Sequence, residues 1–350
     1  MDKKNLDSKN ILQFLGDNAI VVLLAILVVY VSITQDGFLS GRNFSNIISN
    51  VTPRLIIALG VSGCLIIKGT DLSAGRSVGL AGVVACTFLQ RDDYAARFFG
   101  TSGDAIWNNP VLDKLGMNAP IVIVCLFVIA LCALFGFING VVISKLQVPA
   151  FLATLGMQTI IYGANCVYSN SIPVGGLRKD YGNVTSDSLF KIGTFNFKYL
   201  FFFAIAAGLL FWFLYNKTRY GKYMYAIGGN ENAAEVSGVN VTKEKILIYT
   251  LAGAMYGLAG FLLASKAGGA SVNLGLSYEL TAIASCTIGG VSTNGGVGKV
   301  SGILLGVLVF ELLGTSMQFL GINPNIQQIV QGVVIIVAVA LDIRKYTKKK

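Results

Sequence analysis

Apolar residues fall into ten runs along the 350-residue chain, at 19–34, 55–67, 78–89, 121–144, 151–168, 200–215, 246–265, 278–290, 300–320 and 326–341. Seven approach the ~17–25 residues that carry a helix through a bilayer. The other three, 55–67, 78–89 and 278–290, hold only 12 or 13 residues. Between the first two lies Lys68-Gly69-Thr70-Asp71-Leu72-Ser73-Ala74-Gly75-Arg76-Ser77. Polar, glycine-containing sequence between short apolar runs marks discontinuous helices that line a pathway, because irregular backbone at membrane depth survives only against protein or water. The pattern predicts an all-α polytopic membrane protein of about ten transmembrane helices, some short or discontinuous. Lys3, Lys4 and Lys9 before the first run resemble a signal peptide. No small-x-small cleavage site follows at Ser32-Ile33-Thr34-Gln35-Asp36, so the run reads as an uncleaved span. Long polar stretches at 90–118 and 169–197 read as loops, as does the hydrophilic stretch 216–245, and Trp212 and Tyr215 sit like interface anchors.

Composition narrows the picture further. The chain is 54% hydrophobic and 13% charged, with mean hydropathy +0.68, against ~25% charged residues in a soluble domain. Net charge is +10, which raises nucleic acid as a partner, but its distribution fits topology better. With ten crossings and a cytoplasmic N-terminus, sixteen of the 27 Lys and Arg fall on cytoplasmic segments and ten on the longer outer ones, as the positive-inside rule requires. The division expected is a cytoplasmic segment 1–18, a permease domain 19–341 containing a cytoplasmic loop 216–245, and a basic cytoplasmic tail 342–350. Both termini are then cytoplasmic, and no nucleic acid is called for.

Two internal echoes suggest pseudo-repeated halves. Residues 70–77 overlay 278–285 at an offset of 208, matching Asp71 with Glu279, Ser73 with Thr281 and Ala74 with Ala282. Val148-Pro149-Ala150-Phe151 more loosely echoes Asn323-Pro324-Asn325-Ile326. Repeats interrupted at matching places point to transporters. The small-xxx-small pairs Gly75/Gly79, Gly136/Gly140, Gly253/Gly257 and Gly302/Gly306 would let helix backbones approach closely.

The chemistry is sparse. There is no histidine, which removes His-based acid–base catalysis, His metal sites and Ser-His-Asp triads. Cys64, Cys86, Cys125, Cys132, Cys166 and Cys286 lie singly in apolar runs and read as small hydrophobic filler. No acidic, Cys or His cluster has metal-ligand spacing. Gly295-Gly296-Val297-Gly298-Lys299-Val300-Ser301 fails the phosphate-loop pattern, since Thr293 stands at the first glycine's place and Val300 follows the lysine. The chain is therefore expected to bind no cofactor and not to hydrolyse ATP. Asp71, Ser73, Arg76, Glu279 and Thr281 are the candidate pathway residues, because ionisable groups in a membrane face a cavity or a partner. An Asp71–Arg76 ion pair closing the break is an equal alternative. Asn139, Gln158, Asn165, Glu311 and Gln318 read better as hydrogen bonds between helices. In 216–245, Asn230 can cap a short helix holding Glu231, Ala233, Ala234 and Glu235, with Gly238 as its stop. That helix is either a docking element for a cytoplasmic partner or part of a solvated loop. A secondary transporter or channel, with Asp71 and Glu279 as ion-coupling sites, is the competing class.

Gly69-Thr70-Asp71-Leu72-Ser73, Asn139-Gly140, Val148 to Gly156, Thr218-Arg219-Tyr220-Gly221, Ala226 to Asn230 and Ala233-Ala234-x-x-x-Gly238 resemble the membrane permeases of bacterial ABC sugar importers, in the branch with ribose, xylose and galactose permeases. The likeness runs from about residue 15 to the C-terminus. It implies a multi-pass inner-membrane subunit without enzyme activity, working as a homodimer whose interface forms the path. It also implies a periplasmic sugar-binding protein and a cytoplasmic ABC ATPase, as two subunits or one tandem chain, which holds the ATP and Mg. By motif position, Asn230, Glu231, Ala233, Ala234, Glu235 and Gly238 become the coupling helix. The favoured cargo is galactose or a methyl galactoside, with ribose or another pentose open.

Overall fold

The computed structural model describes residues 19–94, 97–100, 107–108, 111 and 119–347. The segment 1–18, the last three residues of the basic tail and most of the 90–118 loop lie outside the described residues. Thirteen α-helices occur among those described: α1 (Ala19–Thr34), α2 (Gly41–Ile66), α3 (Ala74–Phe88), α4 (Ile121–Ser144), α5 (Ala150–Ser169), α6 (Lys179–Ser186), α7 (Leu200–Lys217), α8 (Arg219–Gly229), α9 (Glu231–Val236), α10 (Val241–Ala267), α11 (Tyr278–Ile288), α12 (Val300–Phe319) and α13 (Pro324–Thr347). Strands are few: β1 (Phe99–Gly100) pairs with β2 (Trp107–Asn108), and β3 (Ser188–Ile192) forms a hairpin with β4 (Phe195–Lys198). Among the described residues six helices, α2, α4, α5, α7, α10 and α12, are long and apolar enough to cross a membrane.

One expectation needs correction, and two are filled in. The run 55–67 is not short: it is the second half of α2, 26 residues long. Asn43, Ser45, Ser49 and Thr52 interrupt the apolar pattern, yet all are buried. Ser49 Oγ returns its proton to Ser45 O (2.6 Å) and Thr52 Oγ1 to Ile48 O (2.9 Å), so each hydroxyl is satisfied on its own helix. The stretch 216–245 holds, besides the short helix expected at its centre (α9), α8 and the start of α10. The helical course of α13 runs on to Thr347, through most of the expected tail 342–350. In contrast, α3 and α11 are short as read, at 15 and 11 residues, and the 169–197 stretch folds into α6 and the hairpin.

The core forms around α2. Of its spanning window 83% is buried, against 22% for α4 and for α5, and Ile56, Ala58, Leu59 and Val61 are fully enclosed. Glycines set its neighbours. Gly60 lies against Tyr256 and Ala252, and Gly63 against Ile248, so α2 and α10 run antiparallel. Gly136 on α4 abuts the Tyr249 carbonyl of α10, and Gly253 and Gly257 abut the Cys132 and Val128 carbonyls. The contact is backbone on backbone, as the spacing predicted. Gly302 and Gly306 press α12 against Gly289 and Ser285, and Gly75 and Gly79 meet the Gly275 and Leu274 carbonyls.

Each long core helix is followed by a break and a short helix that doubles back. α3 runs alongside α10 in the same direction, with Val78 at Gly260 and Ala264 at Gly82. α11 follows the direction of α2, with Arg54 over Tyr278 and Cys286 Sγ donating to Ala58 O (3.2 Å). The order long, short, long, long recurs in α2–α5 and α10–α13, in inverted orientation. That is the architecture that internal echoes announce in transporters. Pro149 and Pro324 stand at the starts of α5 and α13, so the looser echo is positional. The 208-residue overlay does not hold in detail: Asp71 lies outside α3, whereas Glu279 is inside the first turn of α11.

Candidate functional site

The break after α2 closes on its own backbone. Lys68 takes a left-handed φ of +62; its N–H reaches Leu65 O (2.9 Å) and that of Gly69 reaches Cys64 O (2.8 Å). This is the glycine-type helix stop made with a lysine. The chain then turns inward. Asp71 is fully buried. Its Oδ1 accepts from Ser73 N (3.0 Å) and Ser73 Oγ (2.6 Å), and its Oδ2 accepts from the Tyr256 hydroxyl (3.1 Å). Ser73 Oγ in turn accepts from Asn139 Nδ2 (3.1 Å), and Thr154 Oγ1 accepts from Leu72 N (3.2 Å) and donates to Thr70 O (3.2 Å). The carboxylate therefore ties the break to α10, Ser73 Oγ ties it to α4, and the threonine ties it to α5. Charge-assisted bonds of this kind are what allows a carboxylate in an apolar interior.

Arg76 turns away from Asp71. Its guanidinium stacks 4.2 Å from the centroid of Tyr162 on α5, and Nη1 donates to Val272 O (3.1 Å) and Asn273 Oδ1 (3.4 Å). The Asp71–Arg76 ion pair thus does not form. Glu279 is buried with its carboxylate against the backbone of Gly75, so the starts of the two short helices meet. Thr281 is only partly buried and spends its hydroxyl on Tyr278 O (3.0 Å). Ser73, Arg76 and Glu279 thus lie along one seam, and Thr281 stands outside it. Sequence reasoning missed Tyr256, Tyr162 and Thr154. Tyr256 sits in an apolar run and looked like core; only the fold brings it to Asp71.

Glu311 pairs with Arg54 and accepts from Asn50 Nδ2 (2.7 Å), joining α12 to α2 as its interhelical reading required. Asn139 likewise bonds between helices. Asn165 Oδ1 is buried without a partner. Gln318 lines a cavity of about 420 Å³ with Arg42, Asn46, Asn50, Lys198 and Lys266, next to the hairpin. No sequence signal joined those residues.

At the opposite end of the bundle stands the α8–α9 pair. Asn230 caps α9, its Oδ1 accepting from Ala233 N (3.0 Å). Ala234 is buried, while Val236 on the same turn is 90% exposed. Glu231 bonds Lys245 Nζ (2.6 Å), bracing α9 on α10. Gly238 follows at φ +88, a conformation that favours glycine. All six residues expected in this element are there, with the polar cap and the exposed Val236 facing solvent.

A bundle of inverted halves with broken helices and a solvent-facing helical element at one end is the build of a membrane permease. Residues 43–339 match the family described as branched-chain amino acid transport system / permease component. The chain is 43% identical to the galactose/methyl galactoside import permease protein MglC of Haemophilus influenzae, over 99% of both chains. It is 42% identical to the protein of that name in Escherichia coli, again over 99% of both. To the ribose import permease protein RbsC of Bacillus subtilis it is 34% identical, over 98% of this chain and 97% of that one. No solved structure matches. The chain belongs to this permease family. It is a multi-pass inner-membrane subunit of an ABC importer, and a transport subunit rather than an enzyme. Import permeases of this family work with a partner ATPase and a periplasmic binding protein.

Proposed function

We propose that the chain imports a monosaccharide, with galactose or a methyl galactoside favoured, as one of two identical copies whose interface forms the path. The identity of 42–43% to two galactose/methyl galactoside permeases over almost the whole chain carries the sugar assignment; the ribose permease is more distant at 34%. Ten crossings are proposed, made by the six long helices, the shorter apolar α1, α3 and α13, and α11. The α8–α9 end is then cytoplasmic, with both termini, and the hairpin end is periplasmic. The permease domain is 19–341, between the segment 1–18 and the basic tail 342–350.

In this arrangement Asn230, Glu231, Ala233, Ala234, Glu235 and Gly238 form the helix that docks on the ATPase, which holds the ATP and Mg. Val236, apolar and almost wholly exposed, is the side chain that docking would cover. Asp71, Ser73, Arg76 and Glu279 form the seam whose rearrangement opens the path, and Thr281 borders it on α11. Asp71 and Ser73 act there through their hold on the α3 start, and Arg76, partly exposed beside Tyr162, is the one placed to face a cargo. The experiment is Ala234→Asp, which puts a carboxylate at the buried seat of α9. Co-purification with the ATPase and ATP-driven sugar uptake should both fall at least about tenfold, as the loss of a well-packed contact implies. Normal assembly and uptake at normal abundance would remove the docking role.

A further inference from the structure

The glycine-rich stretch that fails as a phosphate loop has a different use. Ser292 N donates to Val297 O (3.0 Å) and Gly295 N to Ser292 O (3.1 Å), closing a tight turn after α11. Gly295 and Gly296 take φ values of +83 and +74 there. The tip of this turn meets two other segments at one point. Gly296 N donates to Ile66 O, at the end of α2, at 2.8 Å. Gly228, in the last turn of α8, lies so close to Ile66 O and Gly296 N that a Cβ would overlap the carbonyl. Lys68 Nζ donates to Gly229 O (3.3 Å), and Gly295 rests on the Lys68 side chain. Tyr225 on α8 donates its hydroxyl to Gly298 O (2.7 Å). The end of α8 is thus clamped both to the break that leads into α3 and to the turn that leaves α11.

We propose that this junction of Ile66–Lys68, Gly228–Gly229 and Gly295–Gly296 is the joint that carries movement of α8–α9 to both short helices at once. It rests on the reading of α9 as the ATPase-docking element. The glycines are the physical reason. Backbone meets backbone with no side chain between, so little compliance is available to absorb a displacement. The joint holds α3 through the seven-residue link 67–73 and α11 through its far end, and the two helices touch again where Glu279 meets Gly75. One input therefore shifts both halves of the seam. Lys68 is a positioning residue here: its left-handed backbone fixes the elbow and its amine holds α8.

The test uses the full permease reconstituted with its ATPase and binding protein, and reads sugar moved per ATP hydrolysed. Lys68→Gly relieves the left-handed strain while removing the amine, so abundance and ATPase assembly should not fall. Sugar moved per ATP should nonetheless drop about fivefold or more, the lower range of ordinary coupling between sites. Gly228→Ala should do the same, and Lys68→Arg should keep the wild-type ratio. If Gly228→Ala fails to accumulate, Lys68→Gly decides alone. An unchanged ratio in Lys68→Gly overturns the joint, as does a loss matched by lost abundance, which would mean a role in folding only. Ala234→Asp in the same assay separates the two claims, because it abolishes ATPase assembly if α9 docks and leaves assembly intact if it does not.

Discussion

Asp71 owes its place to three donors, Ser73 N, Ser73 Oγ and the Tyr256 hydroxyl, and its neighbours are the sharpest points at which to probe the fold. Tyr256→Phe removes one donor from a buried carboxylate and should cost about 1–3 kcal/mol, read as a lower unfolding temperature in detergent. Asp71→Ala also frees Tyr256 and Ser73 and should cost more than Tyr256→Phe. If both variants melt like the wild type, the cluster does not hold the break. A second residue-scale test lies outside the membrane, where Arg178 hydrogen-bonds Asp180 through Nε (3.1 Å) and Nη2, and Tyr181 N adds another (2.9 Å). These bonds, the Arg178 side chain's first, hold the Asp180 carboxyl below its ordinary 3.8. A depressed carboxyl stabilises the folded state above its unfolded value and loses that stabilisation as pH falls through the lower folded one. The wild type should therefore out-melt Asp180→Asn from neutral pH down to about pH 4 and lose the margin below that. A margin that grows in acid would contradict the sign.

At the scale of elements, the close crossings of α4 with α10 and of α11 with α12 depend on positions without a side chain. Gly253→Leu must push α10 away from the Cys132 carbonyl of α4, whereas Gly208 on α7 has nothing within 4 Å of where its Cβ would be. Gly253→Leu should cost several kcal/mol, as overpacking and helix separation do, and abolish accumulation in the membrane. Gly208→Leu should leave abundance unchanged. Equal abundance of the two would refute the packing. All four glycine pairs were legible in the sequence because four-residue spacing is a property of any helix. The short α3 and α11, and the capped α9, were legible for similar local reasons: a polar break, an Asn cap, a terminal glycine. The length of α2 was not, because buried Ser49 and Thr52 return their hydrogen bonds to their own helix and look polar in a scan. The partnership of Asp71 with Tyr256 and of Arg76 with Tyr162 was not legible either. These pairs lie far apart along the chain, and nothing local marks which tyrosine meets which charge. The repeat was visible in sequence, yet its residue-level overlay set two acids side by side that the helices place differently.

For the whole molecule, inverted halves place two short helices head to head, and one end carries the α8–α9 element clamped to both breaks. On the proposed joint, such a build would turn a push at one end into a rearrangement at the centre, which suits an importer powered by a separate ATPase better than a carrier powered by an ion. On this proposal the few ionisable groups inside serve as ties, Asp71 at the break before α3 and Glu311 between α12 and α2, and are not expected to store ions. The most direct test is uptake of labelled galactose by proteoliposomes containing this chain, its ATPase and its sugar-loaded binding protein, with ATP supplied on the ATPase side. Accumulation that requires ATP, the ATPase and the binding protein together, and that survives collapse of proton and sodium gradients, is the result predicted. Uptake by the chain alone that follows an ion gradient would contradict it.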